Sequence, residues 1–223
     1  MEINVLGICG SPIKEGNTEL LLKEAINAAR EMGEVKTEII TLAGKDIKDC
    51  RQCNFCMTKQ EEGEFCSQRD DMIEIYPKLL EADALLFASP VYIGRLSGYL
   101  ATFIDRMRFF CPIIGKYYGG KLQNKVGGAL AVSWVRNAGT FTTLLDIIQS
   151  FLIFGMIPVS PAAGGIGATA VSSEEGIGMP NPADRHMVLK DTLGLIQAQS
   201  LGQRVVEISR IIKRGGGDVE GYF

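Results

Sequence analysis

Glu2-Ile3-Asn4-Val5-Leu6-Gly7-Ile8 is a short apolar run, and Cys9-Gly10-Ser11-Pro12-Ile13-Lys14-Glu15-Gly16 follows it as a loop. Leu21, Ala25, Ala28 and Met32 then recur at helical spacing, so residues 18–32 read as an amphipathic helix. A buried strand turning through a glycine-bearing loop into a helix is the opening unit of a parallel α/β sheet. The alternation continues with a strand at 35–41, a helix from Asp70-Asp71 to about Glu81 and a strand at 84–88. A helix at 98–110, a strand at 126–133, a helix at 140–154 and a strand from Ile157 to about Ala163 come next. Acids at the start of the 70–81 helix suit its positive end. The closing helix spans about His186 to Lys213, with Leu193, Ile196, Leu201, Val205, Ile208 and Ile212 expected on its inner side.

Three segments lack periodicity: a cysteine-rich loop at 43–69, a Gly/Ser/Pro-rich loop at 164–185, and a glycine-bearing tail at 214–223 that is expected to be loosely held. The strands are apolar on both faces, which calls for a parallel sheet covered by helices on each side. The expectation is one domain over residues 1–223. It is a doubly wound α/β fold with a five-stranded parallel sheet and the cysteine-rich loop inserted after the second strand.

The balance of 23 basic and 26 acidic residues gives no electrostatic reason to expect nucleic acid or an anionic membrane as partner. The most apolar long stretch, Leu144 to Val159, is broken by Asp146, Gln149 and Gly155 and does not read as a membrane span. With a first segment unlike a secretory signal, the expected location is the cytoplasm. The single histidine, His186, excludes sites that need two, and no Gly-x-Ser-x-Gly elbow accompanies it as part of a triad. Its expected role is the start of the last helix.

In a doubly wound sheet, ligands bind beyond the carboxyl ends of the strands where strand order reverses. Three loops should converge there. The loop from Gly10 to Thr18 offers backbone N–H groups, the Ser11 and Thr18 hydroxyls, the Asn17 amide and Lys14 at a helix start, a good phosphate seat. Ser89-Pro90-Val91-Tyr92-Ile93-Gly94 offers free amides and a flat aromatic face for a planar ring. Ser133-Trp134-Val135-Arg136-Asn137-Ala138-Gly139 holds the only tryptophan. Gly165-x-Gly167-x-x-Ala170 imitates a dinucleotide fingerprint, but neither a strand nor a helix is expected after it.

Gly-Ser-Pro…Gly-Asn-Thr, then Ser-Pro-Val-Tyr with Asp105-Arg106 downstream, then a Gly-Thr-x-Thr-Thr helix start resemble the NADPH-dependent FMN reductase branch of the flavodoxin-like proteins. The cysteine string before Asp70-Asp71-Met72 narrows the resemblance towards the iron–sulfur flavoproteins. It implies a flavodoxin-like fold and FMN as cofactor. By that likeness Ser11, Lys14, Gly16, Asn17 and Thr18 would hold the FMN phosphate. Pro90, Val91, Tyr92, Ile93 and Gly94 would line the isoalloxazine ring, with Ser133, Trp134, Asn137 and Gly139 at its other edge. Two departures stand out: Ile13 where many relatives carry arginine, and Thr140-Phe141 in place of a polar pair. The resemblance also implies a homodimer or homotetramer with FMN near a subunit interface.

Cys50-x2-Cys53-x2-Cys56-x9-Cys66 aims three thiolates from one tight loop, with a fourth further along. That spacing suits a 4Fe-4S cluster better than tetrahedral zinc, whose ligands more usually come as two separated pairs. Free or disulfide-forming thiols remain the alternative. Cys9 and Cys111 read as structural, and Asp105 and Arg106 as an ion pair on their helix or across a subunit contact. The leading expectation is an FMN-dependent redox protein with such a cluster, taking electrons from a one-electron donor such as ferredoxin. The rivals are a cluster-free NAD(P)H-dependent FMN or quinone reductase and a non-enzymatic redox sensor. No side chain is expected to be catalytic.

Overall fold

The computed structural model describes residues 1–215. The elements in chain order are β1 (Ile3–Cys9), α1 (Asn17–Glu31), β2 (Val35–Thr41), α2 (Phe55–Thr58), α3 (Met72–Glu81), β3 (Ala84–Pro90) and α4 (Gly98–Arg106). They continue with β4 (Val126–Ser133), α5 (Thr140–Ile153), β5 (Ile157–Val159), β6 (Ala168–Val171) and α6 (Thr192–Gly215). The strands pair in parallel in the order β2-β1-β3-β4-β5, with Cys9 level with Thr41 on one side and Ala88 on the other. Strand order therefore reverses between β1 and β3, and their carboxyl ends open a crevice.

Each face of the sheet buries its own core. On one face Leu21, Leu22 and Ala25 of α1 meet Leu201, Val205 and Val206 of α6. A side-chain carbon on Gly202 would stand 1.9 Å from the Ala25 carbonyl oxygen, so only glycine allows the two helices to lie this close. On the other face β3 and β4 meet Phe103 of α4 and Phe151 of α5. Gly127 leaves the space that the Phe151 ring fills, since a Cβ there would stand 2.6 Å from it.

The segment 43–69 is anchored to this second core despite its lack of periodicity. Buried Phe65 stacks on Tyr118 with ring centres 4.6 Å apart and tilts against Tyr76 at 5.3 Å. The buried Gln60 amide donates to the Phe65 carbonyl at 3.0 Å and accepts from the Tyr117 and Tyr118 N–H groups, each at 3.2 Å.

Several expectations need correction. The sheet has six strands, because the outer edge of β4 is shared. β5 pairs only Val126–Gly128; the chain then leaves through Pro161 and the left-handed Gly164 and Gly165 and re-enters as β6 beside Leu130–Ser133. A strand therefore does follow Gly165-x-Gly167, inside the segment expected to be loop. The final α-helix begins at Thr192, not His186, after a tight 3-10 turn at Met187–Lys190, and Asp191 caps it by accepting the Gly194 N–H at 3.1 Å. Leu201 and Val205 do face inward, but Leu193 and Ile196 are exposed. Close approach to α1 and β6 demands small residues instead, and Gly194, Ala198 and Gly202 take those places. The helix expected to reach Phe110 ends at Arg106, with a 3-10 turn over Arg108–Phe110. The tail expected at 214–223 lies outside the described residues beyond Gly215.

Candidate functional site

Where β1 passes into α1 the backbone is left rich in donors. α1 begins after Gly16 with no side chain capping it, so its first-turn N–H groups lack the usual acceptor. The Ser11 hydroxyl accepts from the Ile13 N–H at 3.1 Å, and Glu19 accepts from the Glu15 N–H at 2.9 Å, shaping the loop. Burial raises the Glu19 carboxyl, but the Lys23 ammonium at 2.8 Å and the Glu15 N–H outweigh it and hold the group ionised. What remains is a cavity of about 350 Å3 over the β1 and β3 ends, lined by Ser11, Lys14, Gly16, Asn17, Thr18, Pro90, Val91, Tyr92 and Trp134. N–H groups at a helix N-terminus with a lysine beside them attract an oxyanion. The half-exposed Tyr92 and Trp134 rings supply flat apolar faces.

Ile13 and Glu15 of the same loop line the cavity too. Val132, Ser172, Arg185 and His186 complete the wall. They come from β4 and from the segment after β6, which leaves the sheet at the same carboxyl edge. Asn17 draws that segment in, its amide donating to the Arg185 carbonyl at 2.9 Å and accepting from the Val188 N–H at 3.0 Å. Asn17 thus holds a loop over the cavity, and His186 lies on the cavity rather than starting the last helix. The signal that would have revealed these residues was β6 itself.

Five residues expected at the ring do not line this cavity. Ile93 and Gly94 form the tip of a two-residue turn closed by Tyr92 and Arg95, both with positive φ (49° and 74°). Gly139 packs against that tip, since a Cβ there would stand 2.4 Å from the Gly94 Cα. Strand alternation separates Ser133 from Val132 and Trp134, and its side chain lines a different, smaller cavity together with Asn137.

The second centre is the cysteine loop. Cys50, Cys53, Cys56 and Cys66 all line one pocket, with Arg106, Arg108 and Phe109 forming much of the rest. Left-handed Gln52 and Asn54 tighten the chain between the first three cysteines. All six cysteines are free thiols, and among the described residues no group of three or more His, Cys, Asp or Glu stands ready for a single metal ion. Cys9 and Cys111 are buried, and burial pushes the Cys9 thiol up to about 11.

Arg106 organises this pocket, and its partner corrects the expected ion pair: the guanidinium reaches Asp70, not a residue of its own helix. Both side chains are fully buried, and the pairing is bidentate, with Nη2 to Oδ1 at 3.0 Å. Arg106 also donates to the Lys48 carbonyl at 2.7 Å and to the Cys66 sulfur at 3.6 Å. Asp70 in turn accepts the Lys48 N–H at 3.1 Å. Burial alone would raise the Asp70 carboxyl; the Arg106 guanidinium and the Lys48 N–H overcome that and hold it below the usual carboxylate range. Around the sulfurs, the Ser67 hydroxyl at 3.2 Å and the Phe55 N–H lower the Cys53 thiol, whereas burial raises Cys56. Four sulfurs around a common pocket, with hydrogen-bond donors to two of them, form a donor set that fits a polynuclear thiolate-bound group.

The family model for NADPH-dependent FMN reductases matches residues 3–169. The chain belongs to this family. It is 42% identical to an iron–sulfur flavoprotein of Methanocaldococcus jannaschii, over 95% of this chain and 100% of that one. An iron–sulfur flavoprotein of Methanosarcina thermophila is 33% identical over 87% of this chain and 97% of its own. The crystal structure of a flavodoxin, WrbA-like protein from Agrobacterium tumefaciens superimposes with a TM-score of 0.58 at 19% identity, covering 95% of this chain and 99% of that one. That last likeness shows the fold. Membership of the NADPH-dependent FMN reductase family makes the protein an FMN-dependent oxidoreductase. No described helix is long and apolar enough to cross a membrane.

Proposed function

We propose that the protein binds FMN in the crevice over β1 and β3 and a 4Fe-4S cluster at Cys50, Cys53, Cys56 and Cys66, and passes electrons from a one-electron donor such as ferredoxin through the cluster to FMN and on to an acceptor. The observation that carries this reading is the convergence of the four cysteines on one pocket held by the buried Arg106–Asp70 pair. The relatives' own designation as iron–sulfur flavoproteins supports it. An iron–sulfur cluster exchanges single electrons and flavin one or two, which is the chemistry the bound groups would supply.

The chain's residues do the positioning. Lys14 and the α1 N–H groups neutralise the FMN phosphate, and Pro90, Val91, Tyr92 and Trp134 enclose the ring. Asn17 keeps the Arg185–Val188 segment over the cavity and limits water there. Arg106 and Ser67 donate hydrogen bonds to thiolate sulfur and so tune it. Catalytic side chains are not invoked. We place the protein in the cytoplasm, as a homodimer or homotetramer with FMN near a subunit interface.

The second reading is an NAD(P)H-dependent FMN or quinone reductase without a cluster, favoured by the description of the matching family. Anaerobic stopped-flow reduction separates the two. The account expects reduced ferredoxin to bleach the flavin rapidly, and Cys53→Ser to abolish this while leaving reduction by dithionite. Rapid bleaching by NADPH that is indifferent to Cys53→Ser would establish the second reading instead.

A further inference from the structure

The small cavity that receives Ser133 shares no lining residue with the large pocket over β1 and β3. It holds about 60 Å3, too little for a nucleotide and enough for one small oxyanion. Its walls present unspent donors. Ser133 is only 1% exposed, and its hydroxyl has no hydrogen-bond partner among the described residues, a costly state for a buried polar group. α5 starts above it at Thr140. Gly139 has no side chain to cap that helix, and its first internal bond is Thr143 N–H to the Gly139 carbonyl at 3.0 Å. The N–H groups of Thr140, Phe141 and Thr142 thus point out of a helix 14 residues long, with its positive end towards the cavity. Arg136 lines the same space and makes no ion pair among the described residues; its guanidinium reaches only the Glu175 carbonyl, at 3.4 Å.

One group in the wall opposes an anion, and it narrows the choice of ligand. Asp191 accepts the Val171 N–H at 2.9 Å through Oδ2 and the Gly194 N–H at 3.1 Å through Oδ1. A carboxylate is an acceptor only, so an oxyanion seated beside it must bring a proton of its own.

We propose that this cavity is a phosphate site, separate from the seat beside Lys14. It takes one phosphoryl group that retains a proton, which Asp191 accepts while Ser133, Arg136 and the α5 N–H groups hold the remaining oxygens. Inorganic phosphate keeps such a proton near neutral pH. A phosphate monoester keeps one only below about pH 6, and sulfate has none to offer.

Calorimetric titration of FMN-saturated protein, whose other oxyanion seat is filled, tests the assignment. Inorganic phosphate should bind saturably at one site per chain, and sulfate at least about tenfold more weakly. Ser133→Ala and Arg136→Gln should each weaken phosphate about tenfold or more, the loss expected for a hydrogen bond to a charged group. Asp191→Asn keeps one oxygen for the Gly194 N–H and presents an NH2 in place of Oδ2, so at the expense of the bond from the Val171 N–H it should let sulfate bind as well as phosphate. Methyl phosphate that binds only below about pH 6, with the same need for Ser133, would mark a monoester as an acceptable source; phosphate alone would mark the free ion. Equal binding of sulfate and phosphate to the unaltered protein, phosphate binding indifferent to both Ser133→Ala and Arg136→Gln, or no saturable heat would overturn the proposal.

Discussion

Replacing Arg106 by methionine removes both bonds to Asp70, the bond to the Lys48 carbonyl and the contact with the Cys66 sulfur. The Asp70 side chain is then a carboxylate with 0% exposure and no counter-charge. Breaking a buried pair by removing one partner typically costs about 3–5 kcal/mol, because the remaining charge stays desolvated. With a urea dependence of about 2–3 kcal/mol per molar, the unfolding midpoint should fall by roughly 1–2.5 M. The neutral pair Arg106→Met/Asp70→Asn should recover at least half of that loss, since the stranded charge is gone. Urea unfolding of the FMN-loaded protein, with its thiols kept reduced, compares the unaltered protein with Arg106→Met, Asp70→Asn and the double variant. Alkylation of Cys66 in native buffer gives a second readout and should speed up in Arg106→Met, whose loop has lost its tether. A single-variant loss below about 1 kcal/mol, or a double variant as unstable as the sum of its parts, would refute the claim that this pair holds the cysteine loop.

Three further outcomes follow from individual residues. Ile93 is 99% exposed in a left-handed conformation that a β-branched residue adopts only under strain, so Ile93→Asn, which builds an Asn-Gly turn, should raise stability by about 1 kcal/mol in the same unfolding assay. Lys14→Ala should weaken FMN binding about tenfold or more, read by quenching of flavin fluorescence, through loss of a charged contact to phosphate. Cys9 is held as a thiol, its pKa raised from 9.0 to about 11 by burial. The unfolded thiol ionises first as pH rises, so this contribution is intact below pH 9 and is lost as pH passes through about 11. A two-unit shift is worth roughly 2–3 kcal/mol, and Cys9→Ala should lose that much less stability than the unaltered protein between pH 8 and 11.5 when unfolding is compared across this range.

The elements legible in the sequence were those with a strong period and clear punctuation. β4, buried along its whole length, lies where its apolar run placed it, β2 occupies its expected span, and α1 is displaced by a single residue. β6 escaped because Ala168-Thr169-Ala170-Val171 is short, made partly of small residues, and set between glycine and serine tracts that read as loop. The inner face of α6 was misjudged for a related reason: its closest contacts are made by glycine and alanine, while Leu193 and Ile196 carry the hydrophobic signal outward. In the candidate site, the loop from Ser11 to Thr18 was readable as one wall of the cavity because its residues are contiguous. Ser133 was not placed because its direction depends on strand alternation at the very end of β4. Arg185, His186 and the Arg106–Asp70 pair depend on contacts across many residues, 36 in the case of the pair, which no local spacing encodes.

The proposed function requires that one chain carry both flavin and cluster. The visible spectrum of protein purified anaerobically, with iron and acid-labile sulfide assayed on the same sample, tests it most directly. The account predicts flavin bands over a broad iron–thiolate shoulder, with about four irons and four sulfides per chain. Flavin without iron or sulfide in protein never exposed to oxygen would contradict it.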